Sequence, residues 1–337
     1  MSPLRVAIIG STGHPAIPLD AIHRVPNIQI VGLAPGAPED NFDHLRERYP
    51  LAAAAPLFAD HRQLLTQTRP DLVVIATRLD RVAPAAIDAA AAGCHLICEK
   101  PLAIDHAHLR ELRHAVSQGR RHCIPIMDNR LHPVLQAATA AIRAGRIGRV
   151  VLANARKSYK WGTRPEWFGD RQRYGGTIPW IGIHALDFIH AVAAQPFTTV
   201  AAMQSNAAHP DRPGCEDNCT LLLELETGIH ATASLDYFRP AGAGTWGDDW
   251  IRVVGTQGVI EAYLDRRSCT LLPAQGQPEE LPLPQAITAF DAFLQSLVAG
   301  QPYPFDATET GFLLTHAVLC ARDAADQRQV IPILPME

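Results

Sequence analysis

The chain has 337 residues, a formal charge of −4 and 47% hydrophobic residues, enough for one large or two ordinary domains with sizeable cores. The mild charge, with no long Lys/Arg run, argues against nucleic acid or an anionic membrane surface as partner. No apolar stretch approaches the ~18 residues of a membrane span, and the first residues lack the pattern of a signal peptide.

In chain order, residues 6–9, 28–34, 72–76, 95–98 and 123–127 are short runs, apolar throughout, as in a parallel sheet covered on both faces. Helical patterns fall between them at 16–25, 40–49, 62–67, 83–92 and 107–117. This alternation predicts a doubly wound α/β domain over residues 1–127 that binds a dinucleotide. A helix over 131–144, closed by Gly145, follows. Strands are then expected at 150–155, 198–204, 220–226, 229–236, 251–254 and 259–263, with few helices between them. Turns such as Thr227-Gly228 and Thr256-Gln257-Gly258 point to an open, largely antiparallel sheet. Helices at 286–299 and 308–325 close an α+β domain over 128–337. The seven scattered cysteines read as reduced thiols of a cytoplasmic protein. Cys215 and Cys219 lack the second pair a zinc site needs, and no metal is expected.

The stretch "RVAIIGSTGHP" runs from a strand into Gly10-Ser11-Thr12-Gly13-His14-Pro15. A strand opening into a small-residue turn ahead of a helix is where dinucleotides bind. In the full pattern one glycine makes the turn, a second admits the pyrophosphate and a third packs the helix on the strand. Here Gly10 and Gly13 are present, Thr12 takes the second position and Pro15 the third. The Thr12 hydroxyl can still donate, and proline is tolerated in a first helical turn. The loop is expected to hold a dinucleotide through the amides at the helix start, with a weaker pyrophosphate contact. The second strand ends in Ala34-Pro35-Gly36 instead of a ribose-binding acid. Glu39 and Asp40 come later, at an expected helix start, where acids suit the dipole.

Glu99-Lys100-Pro101 places a charged pair at the C-terminal edge of a buried strand, where open α/β sheets bind ligands. In "GGTIPWIGIHALDFI", His184 and Asp187 are spaced to share a helix face. A histidine beside a carboxylate can act as general base. An apolar helix also accommodates a histidine as a plain core residue, and the spacing leaves both open. The five tryptophans, Trp161, Trp167, Trp180, Trp246 and Trp250, all fall in the second half-domain, as core packing or as a sugar-binding surface. Lys157, Tyr159, Lys160, Arg164, Tyr174, Asp236, Tyr237, Asp248 and Asp249 lie around them in the sequence.

These segments together resemble the Gfo/Idh/MocA family of sugar-type oxidoreductases over nearly the whole length. The likeness rests on the first strand-loop-helix, "DLVVIAT" at 71–77, "AAGCHLICEKPLA", "AGRIG" at 144–148 and the Gly-Gly ahead of "GIHALD". The resemblance implies a Rossmann-type domain with NAD or NADP, an open-sheet domain, and oxidation or reduction of a sugar, polyol or sugar derivative. Lys100 matches the family's active-site lysine and His184 its histidine, with Asp187 expected to orient the imidazole. Gly10, Thr12, Gly13, His14, Thr77, Glu99 and Lys100 are the expected cofactor-binding residues. Lys157, Tyr159, Trp161, Arg164, Trp167, Trp180, Asp236 and Tyr237 are the expected substrate-binding residues. The family commonly has an aspartate four residues before the histidine. Trp180 stands there instead, and it can stack on a sugar but carry no proton. Relatives with a retained cofactor allow an alternative, net glycoside cleavage, elimination or epimerisation; non-catalytic carbohydrate binding is another. Relatives also often assemble through the open sheet, so a homo-oligomer is expected.

Overall fold

The computed structural model describes residues 2–286, 288–303 and 306–336. The first part of the chain alternates β1 (Leu4–Ile9), α1 (Ala16–Arg24), β2 (Ile28–Ala34), α2 (Asp43–Arg48), α3 (Pro50–Ala53), α4 (His61–Thr68) and β3 (Leu72–Ile75). It continues through α5 (Leu79–Ala91), β4 (His95–Cys98), α6 (His106–Gly119) and β5 (Cys123–Pro125). Then come α7 (Pro133–Arg143), β6 (Val150–Ser158), α8 (Arg171–Tyr174), α9 (Ile183–Ala193), β7 (Phe197–Ser205), β8 (Asn218–Leu225) and β9 (His230–Asp236). The last elements are β10 (Trp250–Gly255), β11 (Gly258–Tyr263), β12 (Ser268–Pro273), β13 (Glu279–Glu280), α10 (Ala289–Ala299), α11 (Ala307–Gln327) and β14 (Ile331–Pro332).

The chain forms two compact units. The first takes the residues up to Ile126 together with Thr288–Thr315, and the second takes the remainder from Met127 with His316–Met336. The first unit carries a parallel sheet in the order β2-β1-β3-β4-β5. Its strands are buried on both faces, which is why they read as unbroken apolar runs. The chain winds in opposite senses on the two sides of β1, and the crevice at the carboxyl ends of β1 and β3 is where such sheets bind ligands. The core gathers Val6, Ile8, Leu19, Ile22 and Leu72 with Phe290, Phe293 and Leu294 of α10. The sequence reading kept everything after residue 127 in one domain. The apolar face of α10 places that segment with the first unit instead. Ile287, inside the helix expected at 286–299, lies outside the described residues.

The second unit is a nine-stranded sheet in the order β13-β12-β11-β10-β6-β9-β8-β7-β14. Every pairing is antiparallel except β6 with β9, which is parallel. Burial alternates along β8, with Leu221 and Leu223 inside and Thr220, Leu222 and Glu224 outside, the mark of a sheet with one open face. Helix α9 packs against β6, β9 and β10.

Three local expectations change. The helix expected from residue 40 begins at Asp43, because the Asp40 carboxylate turns back to accept the amides of Gly36 (3.0 Å) and Ala37 (2.8 Å). Strand β6 runs on to Ser158, and β12, β13 and β14 extend a sheet whose edges the sequence left short. Ahead of α9, Ile178–Gly182 winds as a π turn. Among the described residues no helix is long and apolar enough to cross a membrane. The seven cysteines are free and buried.

Candidate active site

In the first unit the site starts from the turn after β1. Gly10 and Gly13 both have φ in the left-handed region, at +83° and +86°, which favours glycine. A Cβ on Gly10 would lie 2.5 Å from Ala76 O, and one on Gly13 would overlap Glu99 Oε2. The second approach explains Gly13 without any ligand: the Glu99 side chain needs the space. Glu99 is fully buried at the end of β4. It accepts the backbone amides of His14 (2.7 Å) and Lys100 (3.0 Å) and lies 3.0 Å from His14 Nδ1. Burial pushes its carboxyl up, but the charge and hydrogen bonds of His14, with the Lys100 ammonium, outweigh this and hold it below the usual carboxylate range. Lys100, at the same edge, is also buried and precedes a cis peptide bond to Pro101.

That shift fixes a pH dependence. A carboxyl whose folded pKa is depressed contributes stability above its unfolded pKa and loses it as pH falls through the folded value. Glu99→Gln is expected to cost about 1–3 kcal/mol at neutral pH. It should also shed part of the acid destabilisation expected of the wild type below the ordinary carboxylate range. Urea melts from pH 7 to pH 3 measure both effects; parallel curves for the two proteins would remove Glu99 from the account.

Thr77 and Thr12, both expected near a cofactor, meet at Asp40 instead. Asp40 accepts Thr77 Oγ1 at 2.8 Å, Thr12 Oγ1 at 3.0 Å and the Ser11 amide at 3.0 Å. Glu39 does not reach the turn; it forms a bidentate pair with Arg78 (2.8 and 3.0 Å), which also binds Asp80 (2.6 Å). The sequence reading did not single out Arg78, whose partner Glu39 lies far away in the chain.

In the second unit α9 carries His184 and Asp187, both buried. Their expected pairing is not made. Asp187 Oδ1 accepts both guanidinium donors of Arg130, one at 2.9 Å, and Asp187 Oδ2 has no hydrogen-bond partner. The Asn129 amide lies 3.1 Å from His184 Nδ1. The contact orients the imidazole through Nδ1. Asn129 and Arg130 belong to a single turn, Asn129–Leu131, too short to have given a sequence signal.

The expected substrate residues separate into three groups. Trp161, Arg164, Trp167, Trp180 and Tyr237 join one aromatic network. Trp161 stacks on His209 at 3.6 Å, and the Arg164 guanidinium sits 4.2 Å from the Tyr237 ring. Tyr237 and Tyr174 share a hydroxyl contact of 2.9 Å. Lys157 and Tyr159 form a second group with Asp249. Lys157 is 1% exposed; its ammonium binds Asp249 Oδ2 and lies 5.0 Å from the Tyr159 ring. Asp236 ends β9, accepting Ser158 Oγ (2.7 Å) and the Phe238 amide (2.9 Å). Lys157 and Asp236 are thus committed within the protein.

Trp180 is buried, with its ring edge-on to Phe168 at 5.9 Å and to Tyr174 at 6.5 Å. The expected helical register between Trp180 and His184 is interrupted, because Trp180 lies in the π turn and His184 in α9. Pro179, which has no N–H, stands at the entry of that turn. Trp180→Phe is expected to lower stability by ~1–3 kcal/mol and leave substrate affinity within twofold. Thermal melts and KM on one substrate are the measurements. A raised KM at an unchanged melting temperature would restore a sugar-stacking role.

A parallel sheet with a glycine turn at its switch point and a Glu-Lys pair at its ligand edge, followed by an open mixed sheet, defines a dinucleotide-linked oxidoreductase architecture. Residues 4–125 match the family described as "Oxidoreductase family, NAD-binding Rossmann fold", and residues 135–261 match the GFO/IDH/MocA C-terminal domain. The chain belongs to the Gfo/Idh/MocA family. It is similar to trans-1,2-dihydrobenzene-1,2-diol dehydrogenase of Mus musculus, 23% identical over 83% of this chain and 77% of that one. A Thermotoga maritima protein assigned as an oxidoreductase is 31% identical, with a TM-score of 0.90 over 98% of this chain and all of that one, 100%. Levoglucosan dehydrogenase, solved with NADH and L-sorbose, shares the fold at a TM-score of 0.84 and 18% identity, covering 100% of each chain.

The family implies a nicotinamide dinucleotide, and the residues present fit one at the turn and at the sheet edge. Gly13 has no acceptor for its amide among the described residues, and it stands in the turn between β1 and α1, two residues ahead of the Pro15 cap. Of the expected cofactor residues, Gly10, Thr12, His14, Thr77 and Glu99 already have protein partners, and it is Gly13, with Lys100 at the sheet edge, that would hold the group.

Proposed function

We propose that this chain is an NAD- or NADP-dependent oxidoreductase acting on a hydroxyl-bearing carbon of a sugar, polyol or related diol. The observation that carries the reading is the buried Lys100 at the end of β4, beside a Glu99 locked onto the turn after β1. When bound, the nicotinamide supplies the hydride acceptor or donor. Lys100 would stabilise the substrate oxygen as it gains or loses charge. His184, oriented at Nδ1 by Asn129, would take the hydroxyl proton at Nε2 in the tautomer that leaves Nε2 unprotonated. The Arg130–Asp187 pair ties α9 to the turn Asn129–Leu131 that carries Asn129. The diol dehydrogenase and the NADH-bound levoglucosan dehydrogenase among the similar proteins support this substrate class.

Assembly through the open sheet, with exposed Met203 and Leu222 on it, and residence in the cytoplasm, with seven unpaired buried thiols, belong to the same reading. The test is purified protein titrated with NAD, NADH, NADP and NADPH, then assayed with aldoses, polyols and vicinal diols. Stoichiometric NAD(P)H formation on one of them supports net oxidation. Substrate conversion without cofactor consumption supports the cleaving or epimerising chemistry. A second reading, non-catalytic carbohydrate binding, is favoured by the hold Asp40 has on the turn; sugar binding with no dinucleotide binding would select it.

A further inference from the structure

Nearly every amide donor of the turn after β1 is already used. Gly10 N–H goes to Ala34 O (2.9 Å) and Thr12 N–H to Ala76 O (2.8 Å). His14 N–H goes to Glu99, Ser11 N–H to Asp40 Oδ1 (3.0 Å), and Pro15 has no N–H to give. Among the described residues, Gly13 is the one position of this stretch whose amide has no protein acceptor. The two carbonyl acceptors are fixed in or directly after strands. Glu99 is equally fixed, fully buried and bound to Lys100 N–H as well.

Asp40 is different. It is half-buried and lies between β2 and α2, outside any helix or strand. Its two oxygens accept three backbone amides, of Ser11, Gly36 and Ala37, and the hydroxyls of Thr12 and Thr77. A concave set of amides and hydroxyls around one anion is the chemistry a phosphate asks of such a turn. Here the anion is a side chain of the protein itself.

We propose that Asp40 is a built-in competitor for the diphosphate of the dinucleotide and the residue that sets cofactor affinity. The inference rests on the dinucleotide-dependent function proposed above. The carboxylate and a diphosphate seek the same donors and repel each other, so one must leave for the other to bind. The loop position of Asp40 lets it turn away, whereas Glu99 in its strand-end setting stays. Asp40→Ala removes the charge and frees all five donors. Asp40→Asn removes the charge and keeps the shape, with Oδ1 still able to accept Ser11 N–H.

Calorimetric titration of wild type and both variants with NADH and with inorganic pyrophosphate tests this, with a thermal melt of each protein. Asp40→Ala is expected to bind both ligands about tenfold tighter, or ~1.4 kcal/mol. Asp40→Asn should fall between it and the wild type. Both variants should melt lower, because the turn over residues 36–40 loses its acceptor. Affinity gained while stability is lost is a result that a purely structural role does not give. If Asp40→Ala fails to fold, Asp40→Asn carries the comparison. Weaker NADH binding to a folded variant would overturn the proposal and make Asp40 a direct ligand. Unchanged binding would overturn it too, leaving Asp40 a turn-former while the oxidoreductase reading stands. Absence of NADH and pyrophosphate binding in all three proteins would take down both.

Discussion

Lys100→Ala is expected to lower turnover about a thousandfold while dinucleotide affinity stays within about tenfold. Lys100 follows a strand whose Leu96, Ile97 and Cys98 are buried, and it is itself 3% exposed. Burying an ammonium is costly unless an anion faces it. The neighbouring carboxyl of Glu99 feels the lysine charge, so the cation is part of the edge's electrostatics and not a surface ornament. A charge held where water is excluded acts most strongly on an oxygen that becomes negative during reaction. The loss should therefore appear in kcat more than in KM. Lys100→Arg should recover little, since a planar guanidinium does not replace a compact ammonium. Steady-state kinetics on the best substrate from the panel, with a parallel NADH titration, give both numbers. Wild-type turnover by a folded Lys100→Ala protein would end the catalytic assignment.

The largest stability effect is expected from Asp249→Ala, a loss of about 3–5 kcal/mol. Lys157 is buried against Asp249, Tyr159 and Phe188. Burial alone would depress the Lys157 ammonium, but Tyr159 and Asp249 reverse this and hold it above the ordinary lysine range. Burial likewise pushes the Asp249 carboxyl up, with Lys157 pulling it back only in part. Removing the carboxylate leaves a buried cation without its counter-charge. Replacing both partners, as Lys157→Met with Asp249→Leu, should regain most of the loss, because neither charge is then stranded. Denaturant melts of the single and double variants measure this. A single variant as stable as wild type would show that water or Tyr159 suffices for Lys157.

What the sequence made legible was local. The apolar strands β1 to β5 and the glycines of the first turn follow from periodicity and backbone conformation within a few residues. The short turns Thr227-Gly228 and Thr256-Gln257-Gly258 likewise announce the antiparallel pairings of β8 with β9 and β10 with β11. What was not legible was the choice of partner across space. Asp40 looks like a helix-start acid until the fold brings Ser11 and Thr77 to it from separate strands' ends. His184 and Asp187 have the spacing of a pair, yet Arg130 and Asn129 claim them separately. Lys157 reads as a hydroxyl ligand because its counter-charge, Asp249, arrives from the loop just ahead of β10. The tryptophans form a group in the sequence, yet only Trp161, Trp167 and Trp180 share the network around Phe168, Tyr174 and Tyr237, while Trp246 is exposed and Trp250 lies against Tyr263.

The passage of the chain out of one unit and back has a consequence for biosynthesis. The first unit's sheet is translated early, but its core is completed by Phe290, Phe293 and Leu294. As the polypeptide emerges from the ribosome, the nascent sheet must wait for nearly all of the remaining message to be read before α10 can dock. Throughout that interval Val6, Ile8, Leu19 and Ile22 lack part of their cover, and the intervening unit is being made meanwhile. Completion of the first unit's core therefore waits on a segment made after most of the second unit. A ribosome stalled ahead of residue 289 would present a sticky, unfinished nucleotide half to chaperones and proteases.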